Sequence, residues 1–366
     1  MEHSEFVSNE FPQLSDISYF DYKAAALVSK SQQDLLKTLS NELLPSPHSS
    51  EDQSEFDRTL SLLRKNIASL FSTSLINYTV ILFQTPREAL NTIFEGFPWS
   101  HGSKYFIDNS FCIDHSDAVK FANKNGAVQQ TSLNNESNTS QSLYCMNYTH
   151  EDLEKFLSLM KRSGRNHVLL DSTKTAPYEF VDLSVNNFDF VLLSMKQICG
   201  IELCACLIRL DTAEQISPMF YGGGAVAFSC ARSFAHRSFK SHTKRLENGT
   251  PSLFAIFESY EGLKLMNKMK NSFDVNEIVN SNMELFKHVL DKYESIKYFE
   301  NKSYKTIKFE INGKDSEEIQ RKFLNKRVIF GIEDNMICAS FGFCSRKQDI
   351  DCFENILSEV FDNNNK

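Results

Sequence analysis

The stretch that decides the fold is FDFVLLSMKQICGIELCACLIRL, residues 188–210. Residues 190–193 form one continuous apolar run and residues 203–208 form another, with a short polar turn between them. Continuous apolar runs of this length, bounded by polar residues and glycine, are typical of buried strands. The pattern therefore predicts two central strands of a sheet, joined by a turn that carries Lys196 and Gln197.

Four short motifs elsewhere accompany this strand–turn–strand pattern. They are VLLD at 168–171, FYGGG at 220–224, RLENGT at 245–250 and SFGFCS at 340–345. Together they resemble the motifs of the aminotransferase class V family, and within it those of the molybdenum cofactor sulfurases. The resemblance extends over roughly residues 15 to 360 of the 366.

The resemblance implies an α/β fold of the fold-type-I pyridoxal phosphate enzymes, with a mostly parallel seven-stranded-type sheet, helices on both faces and a small C-terminal α/β domain. Composition agrees, because 41% hydrophobic residues in a chain of 366 suffice for a large core. We expect residues 1–55 to form an N-terminal arm with a small-domain segment, 56–265 the large domain, and 266–366 the small domain. The first 18 residues are predicted to be a polar arm.

The central turn departs from the family at its chemical position. In the family the turn reads roughly Ser-Phe-Tyr-Lys-hydrophobic-Phe-Gly, and its lysine forms a Schiff base with pyridoxal phosphate. Aligned without gaps from Ser194 to Gly200, this chain has Gln197 at the lysine position and Lys196 one place early. Neighbouring strand residues face opposite ways, so Lys196 would need a bulge to replace the family lysine.

Three other positions correspond to cofactor contacts of the family. The family's phosphate-binding turn, Ser-Gly-Ala-Thr, has become Gln-Thr-Pro-Arg, with Thr85 and Arg87 around a proline that has no N–H to donate. Ser110 stands where the resemblance implies the stacking histidine. Asp171 matches the acid that pairs with the pyridinium nitrogen, and it is the one central cofactor residue kept in place.

Two cations fall in turns that face the cofactor in the family, Lys23 and Arg87. They are predicted either to bind an anion in the vacated cavity or to pair with Asp171. The simpler interpretation is that they form structural ion pairs. In the ungapped register Gln197 would point into the same cavity and accept a hydrogen bond from Lys23 or Arg87.

The C-terminal part also lacks family residues. Residues 330–336 are too short for the loop that carries the persulfide cysteine, and Cys338 stands at the position of the substrate-binding arginine. These losses predict a catalytically degenerate sulfurase-like protein, a binding or scaffold subunit with no cofactor and no metal. The alternative is a working pyridoxal phosphate-dependent sulfurtransferase, a cysteine desulfurase or molybdenum cofactor sulfurase using Lys196.

Charge and partner predictions follow from a net charge of −8, which gives no global basic field for nucleic acid. A basic run at 232–245 is the exception. It is predicted to be a solvated or dimer-facing loop, and its alternative is a surface for an acidic partner or nucleic acid. The resemblance implies a homodimer, and a heteromeric protein partner stays open.

The N-terminal segment MEHSEFVSNEFPQL lacks the apolar core of a signal peptide, and no apolar run reaches the ~20 residues of a membrane span. The nine cysteines show no disulfide spacing. We therefore expect an intracellular protein, cytoplasmic or nuclear, with no membrane segment.

Overall fold

The computed structural model describes residues 2–41, 55–109, 111–131, 140–148, 165–221, 225–230, 232–233, 235–247, 249 and 251–362. The chain divides into two compact units. Unit 1 consists of Met1–Ser40, Lys196–Gly200 and Glu261–Lys366. Unit 2 consists of Asn41–Met195 and Ile201–Tyr260.

The strands, in chain order, are β1 (Ser18–Phe20), β2 (Tyr78–Phe83), β3 (Lys104–Ile107), β4 (Val128–Gln129), β5 (Ser142–Asn147), β6 (Asn166–Asp171), β7 (Phe190–Ser194), β8 (Cys204–Arg209), β9 (Val226–Cys230), β10 (Ala235–Ser238), β11 (Ile296–Asn301), β12 (Thr306–Ile311), β13 (Val328–Glu333) and β14 (Met336–Ser340). The helices are α1 (His3–Glu10), α2 (Lys30–Ser40), α3 (Glu55–Leu70), α4 (Pro86–Gly96), α5 (Ala118–Lys124), α6 (Met195–Cys199), α7 (Leu210–Ala213), α8 (His242–Leu246), α9 (Leu253–Ser272), α10 (Val275–Leu290), α11 (Ser316–Asn325) and α12 (Lys347–Asp362).

A seven-stranded sheet forms the centre of unit 2, in the order β2-β8-β7-β6-β5-β3-β4. Only β8 runs antiparallel to its neighbours among these strands, and the remaining pairs are parallel. Strands β2, β5 and β7 are buried along their whole length, because both sheet faces are covered and every side chain must be accommodated in the core. The mostly parallel sheet predicted from the sequence is confirmed.

The two apolar runs that opened the sequence analysis are β7 and β8, which pair directly, from Phe190 with Ile208 to Ser194 with Cys204. The polar turn between them is not irregular. It contains the one-turn helix α6, after which Gly200 has a φ of 78°. A Cβ atom at that position would also lie 2.8 Å from the Ala26 carbonyl oxygen. Both the positive φ and this close approach therefore require glycine.

Unit 1 is built on a five-stranded sheet in the order β1-β13-β14-β12-β11. One face is covered by an aromatic core in which Phe20 stacks on Phe330 and Phe286 stacks on Phe353, with ring centroids 5.0 and 4.3 Å apart. Phe309 contacts the same group of rings. Fully buried aromatic side chains of this size dominate the packing energy of a small domain.

The predicted polar arm at residues 1–18 is wrong. The segment is acidic, but it also contains apolar residues. Residues 3–10 form helix α1, in which Phe6 and Val7 are buried. Phe11 and Leu14 are also buried, and the four pack in one cluster with Leu265 and others of unit 1. A few well-spaced apolar residues are enough to dock a short helix, even in a polar segment.

Among the described residues, no helix is both long enough and apolar enough to cross a membrane.

Candidate functional site

The predicted site residues fall in both units. Lys23, Lys196 and Gln197 belong to unit 1, and Thr85, Arg87 and Asp171 belong to unit 2. Ser110 lies outside the described residues.

The register of the central turn is held by backbone bonds around α6. The Lys196 carbonyl oxygen accepts from the Ala26 amide at 2.8 Å and from the Gly200 amide at 3.1 Å. Gln197 Nε2 donates to the Ala24 carbonyl oxygen at 3.2 Å. These bonds fix both residues within α6, so the expectation that Lys196 and Gln197 are neighbouring strand residues is wrong: β7 ends at Ser194 and the helix begins at Met195.

The amide oxygen of Gln197 behaves differently from the prediction. Oε1 is buried and makes no hydrogen bond with any residue that the structure describes. The predicted bond from Lys23 or Arg87 is therefore wrong. Lys23 Nζ instead lies 2.5 Å from Glu333 Oε2, so the structural ion pair is the interpretation that fits Lys23.

Glu333 forms ion pairs with two lysines in unit 1. Its Oε2 atom lies 2.5 Å from Lys23 Nζ and 3.3 Å from Lys308 Nζ. Partial burial by itself would raise the pKa of Glu333, but the two lysines together hold it below its ordinary value. Lys308 also pairs with Asp334 at 2.7 Å, which leaves the group close to electrically balanced.

The connection after Glu333 is a two-residue hairpin turn. Asp334 and Asn335 both have positive φ, 53° and 60°, and Glu333 pairs with Met336 across the turn. This is the pattern of a type I′ turn, the tightest common connection between antiparallel strands. Cys338 lies nearby on β14, with Sγ 3.9 Å from Glu333 Oε2, and burial is the main cause that raises its pKa to about 11. A thiol of this kind stays protonated and is a poor nucleophile.

In unit 2, the N-terminus of α4 is capped by its own side chains. Thr85 Oγ1 accepts from the Glu88 amide at 3.2 Å, and Pro86 occupies the first helical position. The Gln84 amide donates to Glu88 Oε2 at 2.8 Å. Both donors are thus satisfied within the turn, in an arrangement close to a capping box, and a carboxylate already lies at this helix end.

Arg87 points to two aspartates. Its guanidinium lies 3.0 Å from Asp114 Oδ2 and 2.5 Å from Asp117 Oδ2. All three side chains are about half exposed. The alternative in which Arg87 pairs with Asp171 is therefore wrong, since closer carboxylates on the neighbouring segment take the charge.

Asp171 ends strand β6 and is 3% exposed. Its Oδ1 atom accepts from the Thr173 amide at 2.9 Å, whereas Oδ2 has no hydrogen-bond partner among the described residues. Burial raises the pKa of Asp171, and the hydrogen bonds from Thr173 offset only part of that effect. The hydroxyls of Ser172 and Thr175 are likewise buried without a partner in the described chain. A buried acid with an unused oxygen suits a ligand that donates a hydrogen bond.

This burial makes a pH prediction for Asp171→Asn. The pKa of the folded state lies above the ordinary 3.8, so the folded chain holds the proton more tightly than the unfolded chain. The stability contributed by the protonated acid is present at low pH and is lost as pH rises above the ordinary pKa. Asp171→Asn should therefore gain stability relative to the wild type as pH rises above the ordinary pKa of 3.8, as measured by urea unfolding.

Asp182→Asn is the matched control, since hydrogen bonds from Ser184 lower the pKa of that exposed acid. Its stability relative to the wild type should show the opposite slope with pH or none. An equal slope for the two variants would contradict the assignment of Asp171.

One pair that positions the site was missed by the sequence analysis. Glu247 is buried, and its Oε1 atom accepts from Arg64 Nη2 at 2.6 Å and from the Leu82 amide at 3.0 Å. It thereby ties α3 to the end of β2, just before the Thr85 turn. The sequence does single out Glu247, because it is the first acidic residue after residues 215–246, which contain no Asp or Glu.

Comparison with known proteins agrees with the resemblance. The sequence model of the Aminotransferase class-V family matches residues 147–350. The molybdenum cofactor sulfurase of Oryza sativa subsp. japonica is 26% identical over 325 residues, which are 73% of this chain and 39% of that protein. The human molybdenum cofactor sulfurase is 25% identical over 323 residues, 77% of this chain and 35% of that protein. The chain thus spans well under half the length of these relatives.

Solved structures share the fold. The cysteine desulfurase CsdA from Escherichia coli superposes with a TM-score of 0.82 at 15% identity, over 99% of each chain. A mutant of C-DES with glycine covalently linked to the PLP cofactor gives 0.76 at 13% identity, over 95% of this chain and 98% of that one. The fold class predicted from the sequence, fold-type-I, is confirmed.

The expectation of no cofactor is corrected by the same comparison, since a structure of this fold carries covalently linked PLP. With residues 147–350 matched and the fold agreeing over nearly the whole length, this chain belongs to the aminotransferase class-V family.

Proposed function

We propose that this chain is a catalytically degenerate relative of the molybdenum cofactor sulfurases and cysteine desulfurases, and that it acts as a binding subunit. The observation that carries the proposal is the register of α6. Gln197 stands where the resemblance puts the imine-forming lysine, and the backbone bonds of Lys196 to Ala26 and Gly200 oppose a one-residue shift. An amide cannot form the imine on which this chemistry depends.

Two further features support the same proposal. The persulfide loop implied by the resemblance is replaced by the two-residue turn at Asp334–Asn335. The thiol closest to that turn, Cys338, is buried with a raised pKa. Neither feature offers an exposed thiolate that could receive sulfur.

The residues present fit pyridoxal phosphate in part. Asp171 fits the ring, because its unused Oδ2 atom is buried at a strand end and could pair with a pyridinium nitrogen. The α4 N-terminus does not fit the phosphate, because Glu88 already places a carboxylate there and Pro86 has no N–H. When bound, pyridoxal phosphate supplies an electron sink for carbanion chemistry.

The proposal is tested by sulfur release from cysteine. The purified protein, given cysteine, pyridoxal phosphate and a thiol reductant, should release no more sulfide than a blank without protein. Lys196→Ala should give the same result as the wild type, because Lys196 is not in the imine position. An active cysteine desulfurase, assayed in parallel, shows that the conditions support the reaction.

Release above the blank would overturn the degenerate assignment. If Lys196→Ala abolished that release, the alternative of a working enzyme using Lys196 would replace it. If Lys196→Ala left the release intact, the enzyme would use another group.

A further inference from the structure

Two features of unit 2 lie at one edge of its seven-stranded sheet, the turn that begins α4 and the buried acid that ends β6. Strands β2, β6 and β7 run in the same direction, so their carboxyl ends, at Phe83, Asp171 and Ser194, meet at this edge. Strand β8 runs the other way and begins there, with Cys204 paired with both Phe83 and Ser194. A ligand at this edge therefore meets both features.

The Cys204 thiol shows the sign of the charge at this edge. Burial is the main cause that raises the pKa of Cys204, and the carboxylates of Asp171 and Glu88 both raise it further. Electrostatic effects of this kind weaken with distance. Asp171 and Glu88 therefore lie close enough to Cys204 to act on the same small region, and both make it more negative.

The Asp171 side of the edge has unused hydrogen-bonding capacity. The Oδ2 atom of Asp171 and the hydroxyls of Ser172 and Thr175 have no hydrogen-bond partner among the described residues, and these residues are 3%, 0% and 4% exposed. Burial raises the pKa of Asp171, and the bonds from Thr173 and the charge of Lys174 offset part of that effect. A carboxylate with a free oxygen is a strong acceptor for a charged N–H group.

The α4 side of the edge is unsuited to an anion. The Gln84 amide donates to Glu88 Oε2, and the Glu88 amide donates to Thr85 Oγ1. Pro86 has no N–H, and the Arg87 guanidinium is paired with two aspartates. The Glu88 carboxylate thus already takes the position that a helix N-terminus offers to an anion, and it would repel a phosphate placed beside it.

From this difference between the two sides we infer that the sheet edge binds the ring of a pyridoxine-type compound without its phosphate. The inference rests on the proposed function, because it names a ligand for the proposed binding subunit. The ring N–H donates to Asp171, whereas a phosphate on the ring substituent is repelled by Glu88. The ligand class is therefore a nitrogen heterocycle with an uncharged substituent, and its phosphate ester binds more weakly.

The test is isothermal titration calorimetry of the purified full chain with pyridoxine and with pyridoxine 5′-phosphate. Neither compound has an aldehyde, so imine formation with lysines does not contribute. The wild type should bind pyridoxine at least ~tenfold more tightly than its phosphate ester. Raising the salt concentration should narrow that difference, because salt screens the repulsion from Glu88.

A third compound tests the contact with the ring nitrogen. The probe is 3-hydroxybenzyl alcohol, which has a similar ring but no nitrogen in it. It should bind at least ~tenfold more weakly than pyridoxine, because it leaves Asp171 Oδ2 without a donor. Equal affinity for this compound and pyridoxine would show that Asp171 does not select the ring, and would overturn the inference.

Two variants test the repulsion from α4. Glu88→Gln removes the charge and keeps a side-chain oxygen for the Gln84 amide, so it should tighten binding of the phosphate ester ~three- to tenfold and leave pyridoxine unchanged. Glu95→Gln is the matched control, because it removes the same charge from the last turn of the same helix. It should leave both affinities unchanged.

Asp171→Asn tests the acceptor. This variant is expected to be at least as stable as the wild type at neutral pH, so a loss of binding would not reflect unfolding. It should weaken binding of pyridoxine at least ~tenfold, because the charge-assisted bond is lost. Binding of pyridoxine with unchanged affinity would contradict the role of Asp171.

Equal or tighter binding of the phosphate ester by the wild type would overturn the inference, and so would the absence of pyridoxine binding. An equal response of Glu88→Gln and Glu95→Gln would contradict the role of Glu88. These outcomes are separate from those of the proposed function. Sulfide release would overturn the degenerate function and leave the two affinities as measured, whereas a preference for the phosphate ester without sulfide release would overturn only the ligand assignment.

Discussion

Arg346→Ala is expected to lower the free energy of unfolding by about 3–5 kcal/mol. The Arg346 side chain is 6% exposed, and its guanidinium makes a two-pronged contact with Asp349, at 3.0 Å from Nε to Oδ2 and 2.7 Å from Nη2 to Oδ1. Nη2 also donates to the Leu14 carbonyl oxygen at 2.9 Å. The substitution would leave a buried carboxylate without its counter-charge and a buried carbonyl without its donor.

The measurement is urea or guanidinium unfolding monitored by circular dichroism. Arg321→Ala is the matched control in the same unit, because Arg321 and its partner Glu317 are 72% and 67% exposed. That variant should lose no more than about 0.5 kcal/mol. If Arg346→Ala does not fold, Arg346→Lys replaces it, because lysine keeps the charge but loses the two-pronged geometry. Its loss of unfolding free energy should lie between those expected for Arg346→Ala and Arg321→Ala. A loss from Arg346→Ala no larger than the control's would contradict the prediction.

Arg64→Met is expected to cost a similar amount, about 3–5 kcal/mol, in unit 2. Arg64 and Glu247 have side chains 14% and 7% exposed, with 2.6 Å between Nη2 and Oε1. Burial is the main cause that raises the pKa of Glu247, and Arg64 offsets part of that effect. Without Arg64 the buried acid must either ionise unpaired or take up a proton, and both cost folding energy at neutral pH.

The sign of the pH dependence distinguishes this mechanism from loss of packing. Glu247 has a folded-state pKa above the ordinary 4.5, so its ionisation weakens the fold as pH rises past that value. Removal of Arg64 raises the folded-state pKa further, because one of the causes that lowers it is gone. The deficit of Arg64→Met should therefore shrink as pH is lowered toward about 5.

Two controls accompany Arg64→Met. Arg87→Met removes a guanidinium whose pairs with Asp114 and Asp117 are about half exposed, and should cost at most about 1 kcal/mol. The double variant Arg64→Met with Glu247→Met removes both charges and should recover part of the loss. A pH-independent deficit, with no recovery in the double variant, would show that Arg64 acts through packing alone.

Local pattern in the sequence determined the parts of the fold that burial controls directly. The apolar runs at 190–193 and 203–208 predict strands β7 and β8 to within one residue of their observed ends. A strand buried on both faces must be apolar along its length, and an amphipathic helix must repeat its apolar residues every three or four positions. Such patterns can be recognised in the sequence because they do not depend on contacts with residues far away in the chain.

Pairing partners were decided only by the tertiary structure. Lys23 and Arg87 were expected at one anion site, yet Lys23 contacts Glu333, 310 residues away, and Arg87 contacts Asp117, 30 residues away. Likewise the buried acid Glu247 is paired with Arg64, which lies 183 residues earlier in the sequence. Electrostatic pairing depends on which side chains the fold brings within a few ångströms, and neither composition nor periodicity carries that distance.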